Sequence, residues 1–270
     1  MSANRTRTRV LNEKPSTGQL YDARMPVERL SELVRTHQPC VVLTGAGIST
    51  ESGIPDFRSR TGIWARYDPM EYASIEAFLA DPAKVWDFYA KRLDVLGRAE
   101  PNEGHRALAD LERRGWVQAV VTQNIDRLHA RAGSKDVVEV HGSIASSSCL
   151  DCGEVVPMED VVALLPLPPC PRCGRALKPD VVMFGELLPD AAMDRAVRLA
   201  SEARLLLVVG SSLEVYPVAG LPLETLGAGG SLAIVNRGRT QFDRAAAVHI
   251  DAGAGPTLAQ LAALLAARNE

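Results

Sequence analysis

Along this chain, short unbroken apolar runs alternate with longer stretches in which apolar residues return every three or four positions. The runs are Cys40-Val-Val-Leu-Thr44 and residues 117–122, 137–140, 204–209 and 232–235. Their length and their lack of polar alternation predict strands buried on both faces, as in a parallel sheet. Helical spacing precedes and separates them. Val27, Leu30, Leu33 and Val34 follow Pro26, a residue suited to a first helical turn, and residues 101–114 and 257–268 keep the same period. The alternation predicts a doubly wound α/β domain whose sheet is covered by helices on both sides.

Two stretches break the pattern. Residues 57–98 hold no strand-like run and read as helical, with Asp81-Pro82 opening the last helix. Residues 146–178 carry four cysteines and the proline-rich run 166–171. Both are expected to be insertions that join into one smaller module. The chain then divides into a large domain (25–56, 101–145 and 179–270) and a small one (57–100 and 146–178).

Composition changes this picture little. At 270 residues, 46% hydrophobic and 23% charged, the chain can bury a core, and global disorder is excluded. With 30 basic and 33 acidic residues the net charge is −3, which offers no broad footprint for nucleic acid. No apolar run approaches the roughly 20 residues of a membrane helix. Residues 1–24, with Arg5, Arg7 and Arg9, lack the apolar centre of a secretory signal and are expected to form a flexible tail. A cytoplasmic location is expected.

Four of the five cysteines form two pairs, Cys149-x-x-Cys152 and Cys170-x-x-Cys173, each followed by glycine. The separation of the pairs matches a four-thiolate zinc pattern, and glycine allows the tight turn that aims two thiolates at one ion. Two disulfides are the competing arrangement, disfavoured in a reducing compartment. Four thiolates fill a tetrahedral Zn²⁺ and leave no open position, so this zinc would be structural. Cys40, on the first strand, reads as a small core residue.

Chemistry is expected at the strand ends. Gly45, Ala46 and Gly47 follow the first strand directly, with Ser49 and Thr50 able to donate hydrogen bonds to a phosphate. Alone this loop is an incomplete dinucleotide fingerprint, because its third glycine is replaced by Thr50 and no ribose-binding acid follows a second strand. Gly210-Ser211-Ser212 and Asn236-Arg237 close two further strands in the same style, which strengthens the case for a dinucleotide. Gln123, Asn124 and Asp126 end another, and His141 ends a fifth. An amide, a carboxylate and an imidazole at one sheet edge have the makeup of an active site, with His141 the natural general base. His37, His105, His129 and His249 have ordinary structural readings.

These motifs resemble, in order, those of the sirtuins, the NAD-dependent protein lysine deacylases also called the Sir2 family. The likeness rests on Gly45-Ala-Gly-Ile-Ser49, Gly53-Ile-Pro-Asp-Phe-Arg58, Thr122-Gln-Asn-Ile-Asp126, His141-Gly142, the paired cysteines, Phe184-Gly-Glu186, Gly210-Ser-Ser-Leu213 and Val235-Asn236, spanning about residues 30 to 255. It implies a Rossmann-like domain with an inserted zinc-binding and helical module, and NAD consumed as co-substrate. The acyl oxygen of a modified lysine attacks C1′ of the nicotinamide ribose and nicotinamide leaves. His141 then acts as base on the ribose hydroxyls, and free lysine and O-acyl-ADP-ribose result. By motif position Gly45, Ala46, Gly47, Thr50, Asp56, Phe57 and Arg58 would line the NAD site, with Phe57 guarding it. Gln123 would contact ribose, while Asn124, a catalytic residue with His141, would shape the nicotinamide pocket with Ile125 and Asp126. Gly210, Ser211, Ser212, Asn236 and Arg237 would hold the adenosine side. Val182, Phe184, Gly185, Glu186 and Val215 would pair with or flank the acyl-lysine peptide as an added strand. Met183 departs from the aromatic or β-branched residue many relatives carry there.

Tyr89 and Arg92, three apart on the helix opened by Asp81-Pro82, share a face. In the sirtuin branch that removes succinyl and malonyl groups, such a pair binds the acyl carboxylate. The ordinary alternative is an amphipathic helix with Trp86 and Tyr89 inward and Arg92 solvated. Two further alternatives stand beside deacylation: ADP-ribosyl transfer to a protein side chain, against which an intact His141 speaks, and a module that binds nucleotide or zinc without catalysis.

Overall fold

The computed structural model describes residues 24–267. The tail expected over 1–24 lies outside them except for Arg24, where α1 (Arg24–Thr36) begins. β1 (Cys40–Thr44) follows. Three helices, α2 (Pro69–Tyr72), α3 (Ile75–Ala80) and α4 (Pro82–Arg98), occupy the first interruption. α5 (Glu103–Arg113), β2 (Ala119–Thr122), α6 (Leu128–Ala132) and β3 (Val137–Glu139) resume the alternation. β4 (Gly142–Cys149), β5 (Val155–Pro157), α7 (Met158–Val162) and β6 (Leu177–Val181) span the second interruption. α8 (Asp190–Glu202), β7 (Leu205–Val209), α9 (Leu221–Gly227), β8 (Ser231–Val235), β9 (Val248–Ile250) and α10 (Ala254–Ala266) complete the described chain.

Six strands form a parallel sheet in the order β3-β2-β1-β7-β8-β9, with Val42 opposite Val120 on one side and Leu207 on the other. Successive side chains of a strand face opposite sides. Cys40, Val42, Leu205, Leu207 and Val209 accordingly share a core with Leu30 of α1, Leu108 of α5 and Leu261 of α10. Val41, Leu43, Leu206 and Val208 pack instead on Ala196 and Leu199 of α8 and Leu221 of α9. Truncating a fully buried member such as Leu108 to alanine would cost about 2–5 kcal/mol. The layered, doubly wound, Rossmann-like arrangement expected from the sequence is present.

The two interruptions meet. β4, β5 and β6 form an antiparallel sheet in the order β5-β4-β6, and Leu177 and Val161 share a core with Val85, Trp86 and Phe88 of α4. Trp86 is fully buried, and its indole N–H donates to the Leu177 carbonyl at 2.7 Å. α4 starts where Asp81-Pro82 predicts, the Asp81 carboxylate accepting the Lys84 N–H at 3.1 Å. α10 begins three residues before its expected start, at Ala254, because Pro256 fits a first helical turn and Gly253 and Gly255 carry no side-chain signal.

From adjacent β1 and β7 the chain winds outward in opposite directions. Their carboxyl ends therefore diverge and open a crevice, the place where doubly wound sheets receive ligands.

Candidate active site

The crevice is a cleft of about 690 Å³. It is lined by the loops after β1, β2, β7 and β8 and by residues of α4 and of the segment after β6. All the residues expected to bind cofactor or substrate reach it: those of 45–58, Tyr89 and Arg92, 123–126, His141, 182–186, 210–215, and Asn236 with Arg237.

The glycine loop is shaped first by a neighbouring loop. Gly47 N–H donates to Gly210 O at 2.8 Å, and a Cβ on Gly47 would lie 2.7 Å from Gly210 Cα. That close approach joins the β1 and β7 loops into one floor. Gln123 extends it, its amide donating to Ser211 Oγ at 2.9 Å.

Beneath the floor lies a buried polar network. The Asn124 amide donates to Gly45 O and Ser49 Oγ, both at 3.1 Å, and Ser49 Oγ donates to Asp126 Oδ2 at 2.7 Å. Burial pushes the Asp126 carboxyl up, while the Leu128 N–H and Ser49 hydroxyl pull against it. His105 and His129, with ring centroids 4.9 Å apart, complete the network through Ser49 and Thr44. Their individual sequence positions gave no sign of this pairing; it arises because α5 and α6 pack together.

His141 sits at the joint between β3 and β4. Its Nδ1 lies 3.1 Å from the Gln123 carbonyl, which can only accept, so Nδ1 carries the proton and Nε2 keeps its lone pair. Burial lowers its pKa below the usual 6.5 and the Arg58 charge adds to this, while the Gln123 carbonyl opposes both. The imidazole is neutral at pH 7 and able to take a proton.

Residues 182–186, expected to pair with or flank a peptide, differ in detail from an open edge. Val182 N–H bonds to His141 O at 2.9 Å. Phe184 N–H and C=O are taken by Ala73 and Ile75, each at 2.9 Å. These three groups can flank a peptide but not pair with it. Phe57 packs inward, 5.3 Å from Trp64, and the Arg92 guanidinium lies 5.1 Å from the Phe57 ring and 5.5 Å from the Phe88 ring. Trp86 and Tyr89 are buried as the amphipathic reading expects, but Arg92 is half-buried in the cleft rather than solvated. Burial raises the Tyr89 hydroxyl to about 12. Glu51, Glu214, Tyr216 and Gly253, which belong to no sequence motif named above, also line the cleft. Of these Glu214 pairs with Arg58 at 3.1 Å, and the Tyr216 hydroxyl donates to Gln241 Oε1 at 3.3 Å.

Outside the cleft lining, Cys149, Cys152, Cys170 and Cys173 bring four sulfurs within 4.8 Å of one another. The Cys149–Cys173 and Cys152–Cys170 sulfurs are 3.4 and 3.6 Å apart, too long for disulfides of about 2.05 Å. They suit the edges of a tetrahedron built on Zn–S bonds of about 2.3 Å. Gly153 and Gly174 both have positive φ, 72° and 76°, as the knuckle turns require. The donor set fits a closed structural zinc site. No helix among the described residues is long and apolar enough to cross a membrane.

Residues 45–217 match the model of the Sir2 family. An NAD-dependent protein deacylase of Archaeoglobus fulgidus is 42% identical over 87% of this chain and 96% of its own length. An NAD-dependent protein deacetylase of Chromobacterium violaceum is 47% identical over 88% and 97%. Among solved structures, a Sir2 protein with a deacetylated p53 peptide and 3′-O-acetyl-ADP-ribose superposes with a TM-score of 0.84 at 41% identity, covering 88% of this chain and 97% of that one. A Sir2 homologue in complex with ADP-ribose gives 0.86 at 40%, covering 89% and 96%.

Proposed function

The chain belongs to the Sir2 family, and from that premise we propose that it is an NAD-dependent protein-lysine deacylase, which cleaves NAD to nicotinamide and moves the acyl group to ADP-ribose. One observation carries the reading to this chain's own residues. His141, neutral and with Nε2 free, stands on the same cleft as the Gly45–Gly47 loop and the segment 182–186. Bound NAD supplies an electrophilic ribose carbon and the ribose hydroxyls that receive the acyl group. The protein orients and deprotonates. Gly45, Ala46, Gly47 and Thr50 offer the backbone and hydroxyl groups of the phosphate site, with Ser211, Ser212, Asn236 and Arg237 on the adenosine side. Gln123, held by Ser211, faces the ribose, and Asn124, Ile125 and Asp126 wall the nicotinamide pocket. Phe57, Asp56 and Arg58 cover the cofactor, and Val182, Phe184, Gly185, Glu186 and Val215 border the acyl-lysine peptide. His141 accepts the ribose proton at Nε2 while Gln123 O keeps its ring in one tautomer.

The division into a large domain (25–56, 101–145 and 179–270) and a small one (57–100 and 146–178) is part of this reading, supported by the core shared between α4 and the zinc-bearing sheet. Four thiols kept reduced for zinc support a cytoplasmic location. The relatives carry deacylase and deacetylase names, so neither ADP-ribosyl transfer nor an acidic-acyl preference through Tyr89 and Arg92 is favoured. The test is a panel of acetyl-, propionyl-, succinyl- and malonyl-lysine peptides incubated with NAD and read by mass spectrometry. Acetyl-lysine should be converted to lysine with nicotinamide released. ADP-ribose found attached to protein would displace this reading, and removal of succinyl alone would replace the acetyl preference with the acidic-acyl one.

A further inference from the structure

Lys178 stands on β6, next to Leu177, whose carbonyl caps Trp86, and four residues ahead of the segment assigned to the acyl-peptide. It is only 6% exposed. An ammonium has three protons, and three acceptors meet them: Glu186 Oε2 at 2.9 Å, Val181 O at 2.9 Å and Pro179 O at 3.1 Å. All three lie within residues 179–186. The same Glu186 oxygen accepts the Met183 N–H at 2.8 Å.

A buried ion pair is a poor device for stability alone, because desolvating both charges offsets most of their attraction. What an apolar side chain cannot do is choose one path for the backbone. Here the ammonium gathers the carbonyls of Pro179 and Val181 and a carboxylate, and so fixes the course from Pro179 to Glu186. The same course is tied to the proposed base, since Val182 N–H donates to His141 O at 2.9 Å, and to α3 through Phe184.

We propose that Lys178 is a positioning residue: through Glu186 and the Val181 carbonyl it holds residues 182–186 at the separation from His141 that a bound acyl-lysine needs. The role rests on the deacylase reading above. Lys178→Met removes the charge and keeps the bulk of the stem. The assay is nicotinamide release with acetyl-lysine peptide and NAD varied in turn, with zinc content and Tm recorded for each variant. Peptide KM should rise about tenfold while kcat and the KM for NAD stay within about twofold. Glu186→Gln should raise peptide KM as well, and the double variant should be no worse than Lys178→Met, because both act through one pair. A zinc-loaded Lys178→Met with wild-type peptide KM would overturn the proposal. So would a parallel decline of kcat and both KM values, or additive effects in the double variant. Should Lys178→Met lose its zinc, Glu186→Gln decides by the same KM split, since its side chain is more exposed. A wild-type protein that releases no nicotinamide with any acyl-peptide would sink the deacylase reading and the positioning role together, a result distinct from an active wild type and an indifferent Lys178→Met.

Discussion

Acid should destabilise this protein through two histidines that take no part in the proposed proton transfer. His105 is fully buried and His129 is 2% exposed. Desolvation, aided by the nearby Arg106 charge, takes His105 from 6.5 to about 4. Desolvation, aided by His105 itself, takes His129 from 6.5 to about 3. Below 6.5 the unfolded chain therefore binds protons that the native chain refuses. Stability is full above 6.5 and is lost as the pH falls toward the folded values. Each histidine contributes about 1.4 kcal/mol per pH unit, so His105 alone amounts to roughly 3 kcal/mol across its window. The pair together is comparable with a typical net stability of roughly 5–15 kcal/mol. Asp126 works the other way, since burial raises its carboxyl and protonation then favours the native state. Zinc thiolates also protonate in acid. The clean measurement is thus a comparison: urea unfolding of wild type and His129→Gln across the window, with Asp126 and the thiolates common to both. Wild-type stability should fall more steeply with falling pH, by about 1.4 kcal/mol per pH unit, because glutamine cannot titrate. A stability difference that stays constant across the window would refute the reasoning.

Three further outcomes follow from the same geometry. Gly47→Ala puts a Cβ 2.7 Å from Gly210 Cα, backbone that cannot swing aside, so NAD affinity measured by calorimetry should fall by about tenfold or more; unchanged affinity would mean the two loops do not form one floor. Zinc analysis should find one ion per chain, and chelation or Cys170→Ser should lower Tm, whereas a zinc-free chain of unchanged Tm would refute a structural site. The acid limb of kcat/KM should lie below pH 6.5, because burial lowers the His141 pKa and the base works only unprotonated, and a limb centred above 6.5 would contradict the assignment.

The sheet was legible because each of its longer strands is an unbroken apolar run closed by small or polar residues, a local pattern that needs no knowledge of partners. The cysteine cluster was legible for a similar reason, since a four-ligand ion imposes its own spacing. Helix starts were less so: α10 opens at Ala254 with no side-chain cap to mark it. Least legible were features made by long-range packing. His105 and His129 lie 24 residues apart and meet only in the fold. Lys178, one basic residue on a strand, carries no motif, and its importance lies in a carboxylate that returns to it from the far side of a turn. Arg92 admits two readings in the sequence because helical spacing fixes a face but not what covers it; here the cover is Phe57, brought in from another loop.

The central claim is that one histidine and the NAD ribose share the work of removing an acyl group. The most direct test is product stoichiometry with acetyl-lysine peptide and NAD, for wild type and His141→Ala. Nicotinamide, deacylated peptide and O-acetyl-ADP-ribose should form in equal amounts with wild type, and turnover should fall by about 10²-fold or more in His141→Ala, with NAD still bound. Undiminished turnover in His141→Ala, or nicotinamide released without any O-acetyl-ADP-ribose, would contradict it.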